Sequence, residues 1–380
     1  VSKHIMIVAG EASGDLHGAE LSRELMTLDR SLTLSGIGGD GMAAAGVNLH
    51  CDISRLAVMG LIEVISRLKD IRAAMKMVEK QFQANRPDLL VLIDYPGFNL
   101  ELARRAKKYN IPVLYYISPK IWASREGRIK NIKKYVDRIA VILPFEKKFY
   151  QKHGVEVDFV GNPLLDKVHT TLQPNEFKSR YEIDSDATVI GIMPGSRKQE
   201  IAKLLPVFIQ TALLLIKKIK KCTFLLPLAE TLTEDDLKGH GLEDERLDIR
   251  IIKENRYDTM AACDAAMAAS GTLTMELAIL QVPMVVCYRV AALTYFLAKP
   301  FMKVEHVSLV NLVAGKEVVP ELLQSRATPE NIYREILPLL NNSEIRDAMK
   351  QELADVSKQL GETGGAGRTA ALAMEMLQEG

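Results

Sequence analysis

Two loops in the first half of the chain carry residue types that can do chemistry. Asp94 opens the run Asp94-Tyr95-Pro96-Gly97-Phe98-Asn99, directly after the apolar stretch Leu89–Ile93. A carboxylate at the carboxyl end of a parallel strand faces the ligand crevice of an open α/β sheet, and Pro and Gly hold a tight loop there. Asp94 can accept a proton from an attacking hydroxyl. With an ordinary pKa of about 3.9 it is a weak base, useful late in the transfer. The competing reading is an Asx turn without chemistry. Gly10-Glu11-Ala12-Ser13-Gly14-Asp15 follows Ile5–Ala9 in the same way and opens a helix. It lacks the Gly-x-Gly-x-x-Gly spacing of a dinucleotide loop, and two acids stand where a pyrophosphate would approach. Glu11, Ser13 and Asp15 suit sugar hydroxyls better, or Ser13 or Asp15 caps the helix. Ser118-Pro119-Lys120-Ile121-Trp122-Ala123 carries the only tryptophan, and Trp122 either walls a sugar or acyl site or fills the core.

The second half offers anion chemistry. Pro194-Gly195-Ser196-Arg197 sits between an apolar run and a helical pattern. Arg197 presents a planar fork suited to phosphate oxygens, unless it is simply a solvated charge. Ser270-Gly271-Thr272-Leu273-Thr274-Met275-Glu276 follows Ala265–Ala268. Small and hydroxyl residues at a helix start leave N–H groups free to cradle phosphate, and Glu276, a turn further on, can take ribose hydroxyls. Alone this is an ordinary capped helix. Together with Arg197 it reads as a nucleoside diphosphate site. Asn311 and Gln324 are amides that can read a uracil edge or a phosphate, a weaker signal.

The elements that must position these loops are short buried strands alternating with amphipathic helices. Ile5–Ala9, Leu89–Ile93, Val113–Ile117 and Arg138–Ile142 read as strands with no polar alternation, separated by helices such as Leu16–Leu28 and Leu100–Lys108. The pattern pauses near 161–180 and restarts with Val189–Met193, Phe224–Leu228, Ile249–Ile252, Ala265–Ala268 and Met284–Cys287, with Ile201–Ile219 as the clearest helix. From Thr328 onward only helical patterns remain. This predicts an α/β chain of two doubly wound domains facing a cleft: 1–163, 164–345, and C-terminal helices over 346–380 that cross back to the first domain or swap with a partner.

Bulk properties limit the partners. The 380 residues suit two domains, and 49 basic against 48 acidic residues leave a net charge of +1, which excludes a general nucleic-acid binder. Cys51, Cys222, Cys263 and Cys287 are far apart, reading as reduced thiols and arguing against a zinc site. With no signal-peptide core and no stretch of about 20 apolar residues, the chain is expected in the cytoplasm.

The blocks Gly10–Asp15, Ala57-Val58-Met59-Gly60, Ile93–Asn99 and Leu143-Pro144-Phe145-Glu146 resemble the lipid-A-disaccharide synthase family. So do Pro194–Arg197, Ala269–Thr272 and Val307-Ser308-Leu309-Val310-Asn311-Leu312, all in family order across roughly residues 5 to 325. The resemblance implies a GT-B fold of two Rossmann-like domains and an inverting hexosyltransferase that needs no metal or other cofactor. It implies transfer from UDP-2,3-diacylglucosamine to 2,3-diacylglucosamine 1-phosphate, giving a β(1→6) disaccharide phosphate and UDP on the route to the lipid A of lipopolysaccharide. By position Asp94 matches the family's essential acid, while Arg197 and Asn311 match residues of nucleotide handling. Many relatives carry a second Asp where this chain has Gly97, leaving Asp94 as the sole carboxylate of its loop. A UDP-N-acetylglucosamine 2-epimerase shares the architecture without these blocks, and a catalytically silent nucleotide-sugar binder is a third reading.

Diacylated substrates also imply peripheral contact with the inner leaflet of the inner membrane. The segment Leu61–Lys80 has one apolar stripe at helical spacing. Ile62, Val64 and Ile65 are the residues expected at lipid, with Arg67, Lys69, Arg72, Lys76 and Lys80 as a basic rim. An ordinary helix packed on the sheet is the alternative. A homodimer is left open.

Overall fold

The computed structural model describes residues 2–52, 68–123, 126–290 and 305–379. Its chain forms two compact units, Val1–Pro163 with Gly361–Gly380, and Leu164–Leu360. The first holds a seven-stranded sheet of β1 (His4–Ala9), β2 (Thr33–Gly38), β3 (Asn48–Asp52), β4 (Leu89–Ile93), β5 (Val113–Tyr116), β6 (Arg138–Val141) and β7 (Asp158–Phe159). Every pairing is parallel and the order is β3-β2-β1-β4-β5-β6-β7. The chain therefore winds outward from β1 in one direction and from β4 in the other. The seam between them is the switch point where open parallel sheets leave a crevice.

The apolar strands follow from burial on both faces. Met6 and Val8 of β1 pack with Met75, Val78, Leu102 and Ala103, from the helices Leu68–Ala84 and Pro96–Ala106. Ile5, Ile7 and Ala9 pack on the opposite face with Leu21 and Leu25 of helix Ala12–Leu28 and with Ala370 and Ala373 of helix Gly365–Glu379. Neither face meets water, so no polar alternation is tolerated. β2 escapes the sequence pattern because Ser35, Gly36 and Gly38 interrupt it, and β3 because it is a half-exposed edge.

The second unit repeats the plan with β8 (Thr188–Met193), β9 (Cys222–Pro227), β10 (Asp248–Ile252), β11 (Ala265–Ala269), β12 (Met284–Tyr288) and β13 (Glu321–Leu323). Its order is β10-β9-β8-β11-β12-β13, again all parallel, with the switch point between β8 and β11. Ile190, Ile192, Phe224, Leu226 and Met267 are buried with the helices Lys198–Leu215 and Pro329–Asn341 on one face.

The residues after 345 divide between the units: helix Ser343–Gln359 belongs to the second and helix Gly365–Glu379 to the first. Arg368 ties the returning chain down, donating to the carbonyls of Val160 (2.9 Å), Thr363 (2.8 Å) and Glu362 (2.6 Å). Of the segment expected at lipid, the structure describes helix Leu68–Ala84, while Ile62, Val64 and Ile65 lie outside the described residues. No helix among the described residues is long and apolar enough to cross a membrane.

Ala373 is wholly buried between the last helix and the sheet of the first unit. Ala373→Asp places an unpaired charge there, at a cost of several kcal/mol. Hydrogen exchange should accelerate across β1 and helix Ala12–Leu28 while β8 stays protected.

Candidate active site

In the first unit, three adjacent strands deliver their carboxyl ends to one place. β1 leads into Gly10, β4 into Asp94, and β5 into the loop from Ile117. Asp94 and Tyr95 both adopt left-handed backbone, with φ of +43° and +45°. Asn99 holds the turn by donating its Nδ2 to the carbonyls of Ile93 (3.0 Å) and Asp94 (2.8 Å), and the Tyr115 hydroxyl donates to Asp94 O at 2.6 Å. The Tyr95 ring lies directly over Gly10, where a Cβ would come within 2.1 Å of it, so only glycine fits. Asp94 is half-buried, and burial raises its pKa above the ordinary range; Lys120 and His17 pull it back with positive charge. A carboxylate made more basic by its setting is what proton abstraction requires.

Glu11 and Ser13 are exposed at the mouth of the β1 loop. Asp15 is a correction. Its buried carboxylate accepts the backbone N–H groups of Gly39 (2.6 Å), Gly41 (2.9 Å) and Met42 (3.0 Å), capping the neighbouring helix Asp40–Ala44. Both oxygens accept backbone N–H groups of the neighbouring loop and the residue is buried, so the structure places Asp15 as a cap of that helix. Trp122 is partly exposed, stacks edge-on against Phe145 at 4.8 Å, and donates Nε1 to Glu146 at 3.2 Å. Gly97 is exposed with open space around it, so a side chain would fit there.

In the second unit, the loops at the β8/β11 switch point hold Arg197 and Ser270–Thr272. Gly195 has φ of +113°, a conformation glycine takes without strain, and it lets Glu200 accept from Ser196 N at 3.0 Å. Arg197 is exposed, with one guanidinium N–H on Glu200 Oε1 at 3.3 Å. Gly271 and Thr272 are exposed at the start of helix Thr272–Ile279, which has no side-chain cap, so its first N–H groups remain available to an anion. Ser270 points elsewhere, donating to Val307 O at 3.3 Å. Glu276 is buried and takes a bidentate pair from Arg256, at 2.6 and 3.1 Å. This leaves further lone pairs for ribose hydroxyls.

Asn311 is the second correction. It is wholly buried: its Nδ2 donates to Val319 O and Glu321 Oε1, both 2.8 Å, and its Oδ1 accepts from Val318 N and Val319 N. With every polar site satisfied, Asn311 folds the loop and does not read a ligand. Gln324 is the opposite case. It has left-handed backbone at φ +51°, and its buried Nε2 has no hydrogen-bond partner among the described residues. It lines a cavity of about 560 Å³ together with Lys203, Arg289 and Ser325. A buried donor without a partner is satisfied when a ligand oxygen arrives. Lys203, Arg256 and Arg289 escaped the sequence reading because each is one charge among many until the fold collects them; Lys120 escaped likewise, whereas His17 stood with Glu11 and Asp15 as an alternative to Asp94.

On the nucleoside diphosphate reading of these loops, Arg197→Ala should weaken UDP far more than uridine, through the phosphates, and Glu276→Ala should weaken both, through the ribose. Calorimetric titration of the two ligands checks this, and wild-type UDP affinity in both variants would move the nucleotide elsewhere.

The fold is shared with known proteins. Solved structures alike in fold include UDP-GlcNAc 2-epimerase from Neisseria meningitidis, TM-score 0.65 at 13% identity, covering 99% of this chain and 100% of that one. Another is MurG from Acinetobacter baumannii, TM-score 0.58 at 15% identity over 100% of both chains. At those identities the likeness is one of fold, the GT-B arrangement of two parallel α/β domains. Sequence decides the family. The lipid-A-disaccharide synthase of Syntrophus aciditrophicus is 46% identical over 378 residues, covering 100% of this chain and 99% of its own. That of Geobacter metallireducens is 45% identical, covering 99% and 98%. The epimerase reading has no such support. With the profile of the Lipid-A-disaccharide synthetase family matching residues 5–374, the chain belongs to the lipid-A-disaccharide synthase family.

Proposed function

We propose that this chain transfers 2,3-diacylglucosamine from its UDP derivative to the 6-hydroxyl of 2,3-diacylglucosamine 1-phosphate, inverting the anomeric centre. The observation that carries the reading is Asp94, half-buried at the switch point of the first sheet with its basicity raised by burial. In this mechanism the acceptor O6 attacks the anomeric carbon on the face opposite the diphosphate. The bond from that carbon to the β-phosphate oxygen breaks as the new C–O bond forms, and the O6 proton passes to Asp94. Glu11, Ser13 and Trp122 border the acceptor. On the departing UDP, negative charge grows as the bond breaks. Arg197, the Gly271–Thr272 helix start and Gln324 stabilise it, and Glu276, oriented by Arg256, holds the ribose.

Release of UDP in the presence of both lipid substrates tests the assignment. A silent nucleotide-sugar binder releases none, and an epimerase needs no acceptor. Asp94→Asn should lower turnover by about 10²-fold or more while leaving UDP affinity intact. Because burial raises the Asp94 pKa, the ionised base is lost as pH falls through a value above the ordinary 3.9 or so. The acid limb of kcat/KM should therefore lie above that value. Replacing Lys120 by Gln removes a charge that lowers the Asp94 pKa and should move the limb further up. The other groups acting on this site, His17 and Tyr115, remain in that variant.

Acylated substrates favour an enzyme that rests on a bilayer, and the apolar Ile62, Val64 and Ile65 beside basic residues supply the surface for peripheral contact with the inner leaflet. Replacing Ile62 and Val64 by Ser should reduce sedimentation with anionic vesicles and leave Tm nearly unchanged. A large drop in Tm with undiminished vesicle binding would make them core residues.

A further inference from the structure

The loop after β5 has a rigid frame and one free charge. Ser118 Oγ and Trp122 Nε1 both donate to Oε1 of buried Glu146, at 2.7 and 3.2 Å, and Ile121 is buried in the core between them. Lys120 stands on this pinned segment, exposed; its carbonyl accepts from Ala123 N, and its side chain has no ion pair or hydrogen bond among the described residues. Its charge nevertheless reaches Asp94, as does that of His17, which projects from the helix after β1. On that helix Glu20 lies 3.9 Å from His17 and Asp15 is held by backbone N–H groups, while Glu11, which precedes the helix, acts on Tyr95.

β5 neighbours β4, and adjacent strands lie about 4.8 Å apart. Lys120 thus sits on the loop that leaves the strand next to β4, the strand that delivers Asp94, the proposed acceptor of the O6 proton. In a hexosamine 1-phosphate the 6-hydroxyl, carried on C5, and the anomeric phosphate, on C1, flank the ring oxygen and so lie at the same end of the sugar. When the hydroxyl meets the base, the phosphate must meet something else. Lysine is a compact, mobile charge well suited to a phosphate monoester. Resting on the transferase reading, we infer that Lys120, assisted by His17, is the subsite for the acceptor's phosphate.

The test compares wild type, Lys120→Gln and Lys120→Arg on acceptors with and without the 1-phosphate. Lys120→Gln should raise KM for the phosphorylated acceptor about 10-fold or more, the scale of a charged hydrogen bond. It should leave KM for the UDP-sugar unchanged and abolish the preference for the phosphorylated acceptor, while Lys120→Arg keeps most of it. An equal change on both acceptors, or none, overturns the subsite. Calorimetry with glucosamine 1-phosphate and glucosamine reads the same contact without turnover. Loss of glucosamine 1-phosphate binding in Lys120→Gln supports the assignment, and equal binding to wild type and variant sinks it. Wild type that binds glucosamine 1-phosphate but transfers to neither acceptor would fault the transferase reading instead.

Discussion

The chemistry of the first unit depends on two consecutive residues held in a backbone conformation that L-amino acids avoid. Asp94 and Tyr95, at φ of +43° and +45°, cost about 1–3 kcal/mol each. That strain persists because its surroundings over-determine it. Asn99, wholly buried, donates twice into the turn, and the Tyr115 hydroxyl donates a third time. Gly10 leaves room for the Tyr95 ring, so the β1 and β4 loops fix one another. The constraint delivers a carboxylate that is partly out of water yet not enclosed.

The second unit reaches a different end from the same topology. Its switch point presents a helix start and an exposed arginine, and the loop after β13 adds an amide whose buried Nε2 has no partner among the described residues. These are groups that meet negative charge. The buried acid there, Glu276, is paired with Arg256 through two hydrogen bonds, so the loop presents no unpaired carboxylate at that position. One sheet thus ends in a half-buried carboxylate and the other in hydrogen-bond donors, a division set by which residues follow the strands.

How much of this was legible in sequence follows from the physics of each element. β1, β4 and β8 announce themselves because both faces are buried and every residue must be apolar. β7, two residues long, and β13, three, are too short to show any period. Asp94 was visible because position alone, at a strand end, argues for a crevice. Asp15 and Asn311 misled because a polar residue in a glycine-rich or helical loop looks the same whether it faces a ligand or a neighbouring backbone. Only the fold shows that Gly39, Gly41 and Met42 occupy the first, and Val318, Val319 and Glu321 the second. Gln324 was the reverse, a weak signal until its unpartnered nitrogen appeared beside Lys203 and Arg289.

Glu146 shows how the same packing supports chemistry one step removed. Its carboxylate is 1% exposed, and burial raises its pKa. Yet its contacts from Ser118, Trp122 and Leu143 N are all donors, which suits the ionised form and opposes that rise. A glutamine of the same shape would have to turn its own NH₂ toward one of those donors. The acid is therefore matched to its position by hydrogen bonding, although its burial alone is unfavourable. What that match secures is the loop from Ser118 to Trp122. Because the loop's ends are held by a buried acid, Lys120 at its middle needs no partner of its own, and its charge stays available at the side of Asp94.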